Sequence, residues 1–321
     1  MRIYKDFPLA KILYYKIGGL AQYLIKVENK EDLVEALDFV KKNKIKRVLP
    51  IGLGSNILVN DNFFDGAVLW FTSSSQENIV QKDANLIEVF ASVILDDLIQ
   101  FSFSKNLIGL EWGGGLPSTI GGAVRGNVGA FGGEISSNVY KVQAIEMLNG
   151  KSLQKEFGNS DLNFSYRNSL IKQNKKLIIL SCTFKLKKAN LKMLGIAKKE
   201  YLSHIDYRNK NHPMEYPSCG SVFKNITRKE ETEKIIGVWG DIRKLVNSKW
   251  YNKVSMGYVI ARLGFSGFTI GGAKVSEKHG NYIVNFNNAK FDDVFNIIEK
   301  IKEKFYSIFA FYPEEEVEIV N

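Results

Sequence analysis

Residues 109–134 read GLEWGGGLPSTIGGAVRGNVGAFGGE, and this one stretch holds ten of the chain's 27 glycines. Glycine at that density lets backbone N–H groups turn toward a bound group with no Cβ in the way, which suits a phosphate or a flat ring. Tight turns in a β-rich domain would also be glycine-rich, and so would a solvated linker. Leu116, Ile120, Ala123, Val124, Val128, Ala130 and Phe131 argue against the linker, because so many apolar side chains imply packing inside a fold.

Upstream, Leu95 to Lys105 has helical spacing and delivers the chain to this stretch, preceded by strand-like runs at Val68–Phe71 and Ile87–Phe90. Further back, Arg47–Ile51 reads as a strand that runs into Gly52-Leu53-Gly54-Ser55-Asn56 before apolar character resumes at Ile57–Val59. This second glycine turn is a candidate phosphate loop, with Ser55 and Asn56 adding side-chain donors. Two standard loops are absent by spacing. The turn is not a GxGxxG opening a helix, and Asn149-Gly150-Lys151-Ser152 lacks the upstream glycine of a P-loop because position 145 is Ile. Between Glu31 and Asn43, Leu33, Leu37 and Val40 predict an amphipathic helix with acids early and lysines late.

Downstream, strands are expected at Val142–Met147 and Leu177–Leu186, with a domain boundary near Lys188. A helix is expected from Leu191 to Asp206, followed by PMEYPSCGSVFKN at 213–225 and a charged, irregular insertion at 227–253. The segment from Gly264 to Asn285 ends in an apolar strand. Phe291–Phe309 carries Val294, Ile298, Ile301, Phe305 and Ile308 on one side of a helix, and the tail from Pro313 alternates as a final strand.

At 321 residues, with 45% hydrophobic and 24% charged residues, the chain has room for two domains with their own cores. No apolar run approaches the roughly 20 residues that span a bilayer, and the N-terminus lacks a secretory pattern, so a cytoplasmic protein without membrane insertion is expected. Cys182 and Cys219 are too isolated for a disulfide framework, and with His204, His212 and His279 they make no metal pattern. The net charge of +10 suits nucleic acid, an anionic surface or small anionic ligands. Lysines interleaved with acids, and no basic stripe with base-stacking aromatics, favour a small anionic ligand over nucleic acid.

Several blocks, taken in order, resemble one family. GLGSNILV, GLEW with LPSTIGGAVRGNVGAFGGE, FSYRNS, PSCGSVFKN, GGAKVSEKHGNYIVN and the terminal EEEVEIV are together similar to the UDP-N-acetylenolpyruvoylglucosamine reductases, over about Lys11 to Val320. Each block is weak alone; their order and spacing are specific. The resemblance implies an α+β fold: an FAD-binding domain of the vanillyl-alcohol-oxidase (PCMH) type over 1–188, in two α+β subdomains split near 70–80. A C-terminal α+β substrate-binding domain would follow over 189–321, with 311–321 a strand returning toward the active site. The run RNKNHPMEYPSCGS resembles the shorter, type II branch. Lys16, Ile226 and Gly280 depart from the family's usual Arg, Pro and Ala.

The implied activity is reduction of UDP-N-acetylglucosamine enolpyruvate, in peptidoglycan synthesis, by a monomer using FAD and NADPH. Hydride addition to the vinyl carbon builds negative charge on the neighbouring carbon and carboxylate, so a cation or acid must stabilise that charge and a donor must quench it. Arg167 is the permanent cation, against the plain alternative of a surface ion pair. Ser221 is the proton donor, against that of a turn hydroxyl. Glu316 is chosen over its neighbours Glu314 and Glu315 because the family's acid precedes the valine, here Val317; burial could hold it neutral. Cofactor contacts are expected at Gly52, Gly54, Ser55, Asn56, Pro117, Ser118, Thr119, Gly121, Gly122, Asn127 and Gly129. Lys224 and Asn225 are expected at the substrate's nucleotide, and His279 in a structural role. Two other readings compete: an FAD-dependent alcohol oxidase of the same fold, and a non-catalytic nucleotide or RNA binder.

Overall fold

The computed structural model describes residues 1–73, 76–148 and 151–321. Asn149 and Gly150, on which part of the P-loop exclusion falls, lie outside the described residues. The chain forms two compact units, one of residues 1–7, 21–53 and 64–210, the other of residues 8–20, 54–63 and 211–321.

The first unit contains two main sheets. In one, the strands run in the order Arg2–Pro8, Leu20–Val27, Phe64–Phe71, Val48–Ile51, and both neighbours of Phe64–Phe71 are parallel to it. The crossover from Leu20–Val27 is the helix Lys30–Lys42. Its start is set by Asn29, whose side chain accepts the Asp32 N–H at 2.9 Å, and acids in the first turn with lysines in the last suit the helix dipole. Leu33, Ala36, Leu37 and Val40 are its buried face, in one core with Ile25, Val27, Ala67 and Leu69. The chain leaves this sheet at Phe71 and enters the second at Ile79.

The second sheet is antiparallel, in the order Lys151–Gly158, Val139–Leu148, Leu177–Lys185, Leu86–Phe90, Ile79–Asp83. Leu177–Lys185 is its middle strand and is buried on both faces, which is why LIILSCTF shows no polar alternation. The short helix Ile120–Arg125, inside the glycine-rich stretch, lies against this strand.

In this unit the helix Leu191–Asn211 runs on to Lys210. The boundary in space therefore falls at 210/211, whereas the sequence reading draws it near Lys188. Tyr201 is buried and reaches back to Asp96 with its hydroxyl at 2.6 Å, a long-range contact that helical periodicity cannot show.

The second unit is built on the helix Phe291–Phe309, which buries Phe291, Val294, Ile297, Ile298, Ile301, Phe305 and Phe309. Beside it stands a three-stranded antiparallel sheet of Thr269–Ile270, Ala273–Val275 and Ile283–Asn285. The expected terminal strand is shorter than drawn: only Glu318–Val320 pairs as a strand, parallel to Ile57–Val59. The expectation of an irregular segment at 227–253 is corrected. Lys229–Val238 and Arg243–Ser248 are helices, and Ile235, Ile236, Ile242 and Val246 are buried in this unit's core. The high charge around those few apolar positions hid two short amphipathic turns.

Candidate active site

In the first unit the glycine-rich stretch folds back on itself. Ile120 and Gly121 donate to the carbonyls of Val93 and Ala91 at 2.8 and 2.9 Å, and Leu95 donates to Ser118 O at 2.9 Å, so this loop is sewn to the one at 91–95. Thr119 begins the short helix and accepts the Gly122 N–H at 3.3 Å. A Cβ on Gly52 would run into the Thr119 side chain, so glycine is required for that approach. A Cβ on Gly122 would meet only Ser118 Oγ and Thr119 Oγ1 of its own turn, at 3.4 and 3.5 Å. That face of the turn is bare.

Asn127 is buried and takes the left-handed conformation, with φ 43°. Its carboxamide donates to Ser165 O at 2.9 Å and accepts the Ser136 N–H at 3.2 Å, which ties the glycine-rich stretch to the FSYRNS turn. Arg167 lies in that turn, where Ser165 and Asn168 exchange both backbone hydrogen bonds, at 3.1 and 3.0 Å. Its guanidinium donates to Gly129 O at 2.8 Å, and Lys172 donates to the Arg167 carbonyl at 3.1 Å. Asn127 and Gly129 thus share one network with Arg167, which is distant in the chain. Lys172 was missed by sequence reasoning; nothing local marks a lysine that holds another residue's carbonyl.

In the second unit Gly54, Ser55 and Asn56 lie beside the terminal segment. Asn56 donates through its side chain to Glu316 O at 3.1 Å, and its own carbonyl accepts the Glu318 N–H at 3.1 Å. Val222 O accepts N–H groups from Glu316 at 2.7 Å and Val317 at 3.2 Å, and Lys224 N–H donates to Glu314 O at 2.9 Å. Ser221 and Glu316, 95 positions apart, are thereby drawn into neighbouring rungs. Gly220 takes φ 77° just before the serine.

The three terminal acids divide by what they face. Glu314 receives Lys224 at 3.0 Å and Arg228 at 3.1 Å, and the Lys224 hydrogen bond holds its carboxyl below the usual range. Glu315 pairs with Lys302 at 2.8 Å. Glu316 stands near Cys219, whose thiol is pushed up to about 12, chiefly by burial, with the Glu316 charge adding to it. Asn225 accepts the Met256 N–H at 3.0 Å, a structural use of its carboxamide oxygen. His279 is desolvated by burial and its pKa is lowered; its Nδ1 accepts the Asn281 N–H at 3.3 Å, which requires the neutral Nε2–H tautomer.

The residues present fit FAD. The amides of Gly52 and Leu53 serve no backbone acceptor among the described residues, the Gly122 turn is bare, and the Thr119 hydroxyl stands beside it, whereas the Ser118 hydroxyl donates to Thr119 O at 2.9 Å. Those amides and the Thr119 hydroxyl are donors for a phosphate or a ring edge.

Comparison with known proteins places two family models along the chain. Residues 21–154 match the model of an FAD binding domain, and residues 212–320 match the C-terminal domain of UDP-N-acetylenolpyruvoylglucosamine reductase. The chain is 32% identical to the UDP-N-acetylenolpyruvoylglucosamine reductase of Caldicellulosiruptor bescii, covering 99% of this chain and 90% of that one. It is 33% identical to the enzyme of the same name from Fervidobacterium nodosum, covering 99% and 91%. Among solved structures, the UDP-N-acetylenolpyruvylglucosamine reductase of Thermus caldophilus superposes with a TM-score of 0.72 at 24% identity, covering 100% of this chain and 98% of that one, and shows the same fold. With the identity running through both units from end to end, the chain belongs to the UDP-N-acetylenolpyruvoylglucosamine reductase family, flavoprotein oxidoreductases of peptidoglycan synthesis.

Proposed function

We propose that the protein reduces UDP-N-acetylglucosamine enolpyruvate to UDP-N-acetylmuramate at the expense of NADPH. The glycine turns at 52–56 and 117–129 would hold FAD, which when bound would supply to the vinyl carbon the hydride taken from NADPH. The chain's own residues manage the charge and proton that follow. Electron density moves onto the carbon bearing the ether oxygen and into its carboxylate, as an enolate. Arg167 offers a permanent cation with a donor fork matched to that enolate, and Glu316 supports the same charge. The Ser221 hydroxyl gives its proton to the carbon, the new C–H bond forms, and the alkoxide left on the serine regains a proton from solvent. Lys224, with its ammonium beside Glu314, meets the anionic nucleotide together with Asn225.

The observation that supports this reading is the backbone pairing of Val222 with Glu316, which brings Ser221 and Glu316, from distant parts of the chain, onto adjacent rungs. Serine is a weak acid in water; beside a strongly basic carbon it becomes competent only if held in place, and that pairing restrains its backbone. The test is NADPH oxidation by flavin-loaded protein with and without the enolpyruvate. Turnover that depends on the enolpyruvate is expected; oxidation indifferent to it would end the assignment.

A further inference from the structure

Asn281 is 2% exposed, and its polar atoms are directed at the two residues that follow Ser221. Its Oδ1 accepts the Phe223 N–H at 2.9 Å, its Nδ2 donates to Phe223 O at 2.7 Å, and its backbone carbonyl accepts the Val222 N–H at 2.9 Å. An N–H can only donate and a carbonyl can only accept, so these partners fix the orientation of the carboxamide. On the other side of the same residues, Val222 O receives Glu316 and Val317. Phe223 itself is fully buried, so releasing its backbone would leave polar groups without partners, at about 1–3 kcal/mol each.

We infer that Asn281 is a positioning residue for Ser221: by clamping both backbone groups of Phe223 it fixes the serine hydroxyl relative to the Glu316 rung. The inference rests on the proton-donor reading of Ser221. Asn281 touches no reacting atom in this account; it acts through the backbone. Aspartate at 281 would still accept from the Phe223 N–H but would set a carboxylate oxygen against the Phe223 carbonyl, opening one side of the clamp without changing its size. Asn285 supplies a matched control. It is also buried and ends the strand Ile283–Asn285 that follows Asn281, but its side chain donates to Tyr15 O at 3.1 Å and accepts the Ala289 N–H at 2.8 Å, away from residues 222–223.

The experiment uses full-length, flavin-loaded Asn281→Asp and Asn281→Ser, with Ser221→Ala and Asn285→Ser alongside. Flavin reduction by NADPH, flavin reoxidation by the enolpyruvate, and the solvent deuterium isotope effect on reoxidation are measured. Both Asn281 variants are expected to slow reoxidation by about 10–100-fold, the scale of a misplacement near 1 Å, with reduction within about twofold of the parent. Their isotope effect should rise as proton delivery becomes limiting, while Asn285→Ser should behave as the parent. Equal slowing of both halves, no slowing, an unchanged isotope effect, or failure of both variants to retain flavin would overturn the inference. If Ser221→Ala reoxidises at the parent rate, the proton-donor reading itself falls. If Ser221→Ala is slow while the Asn281 variants match the parent, only the positioning role is lost.

Discussion

Arg167 and Ser221 are presented by turns of opposite design. In the first unit Arg167 itself, the proposed charge-stabilising residue, occupies the left-handed region, at φ 58°, in the third place of a tight turn where glycine is usual. In the second unit Gly220 takes that conformation, at φ 77°, and leaves the serine after it in ordinary geometry. A non-glycine residue in that region costs on the order of 1–2 kcal/mol, which the Lys172 and Gly129 hydrogen bonds must offset. The arginine turn therefore stores strain for the sake of a side chain, and the serine turn stores little.

Arg167→Gly separates these designs most sharply. Reoxidation of the flavin by the enolpyruvate should slow by about 10²–10³-fold, the loss typical of a removed charge-stabilising donor. Stability should change by less than about 1 kcal/mol, because relief of backbone strain cancels the lost bond to Gly129. Chemical denaturation and stopped-flow spectroscopy read the two effects. A large loss of stability would mean that the turn is held by the arginine, and not the arginine by the turn.

Gly220→Ala is the converse and should be milder. The nearest atom to its added Cβ is Ser55 O at 4.0 Å, so space is available and only the conformation is penalised. About 1 kcal/mol of stability should be lost, with reoxidation slowed several-fold and flavin reduction untouched. A variant as stable as the parent would show that the loop can flip to another turn, and the contrast with Arg167 would weaken.

The smallest effect concerns pH. The pKa of His279 is lowered from 6.5 by burial, so the folded protein holds the ring neutral while the unfolded chain protonates it more readily. The stability it contributes is complete above pH 6.5 and is lost as pH falls through the folded value. Urea unfolding between about pH 7.5 and 5.5 should therefore lose stability more steeply in the parent than in His279→Gln. Since His279 accepts the Asn281 N–H, the same titration loosens the serine turn and leaves the arginine turn alone.

Much of the scaffold was legible because its signals are local. Lys30–Lys42 announces itself by apolar spacing and end charges, Phe291–Phe309 by apolar spacing, and Leu177–Lys185 by an unbroken apolar run. The segment at 227–253 was not, since two short helices surrounded by charge leave no sustained period. Among the three terminal glutamates the sequence offered alternation and a resemblance. The fold adds what the sequence could not show, that Glu314 pairs with Lys224 and Arg228 and Glu315 with Lys302.

By itself the amino-acid sequence determined the two glycine turns, the helices and strands with strong periods, and the ordered blocks that mark the family, because each depends on neighbours within a few residues. Tertiary structure decided what those blocks meet: Asn127 on Ser165, Arg167 on Gly129, Glu316 on Val222 and Asn281 on Phe223. Such pairings join positions 38 to 94 residues apart, and their partners are mostly main-chain groups. Every residue carries the same N–H and C=O, so side-chain identity cannot announce which of them a folded chain will bring together.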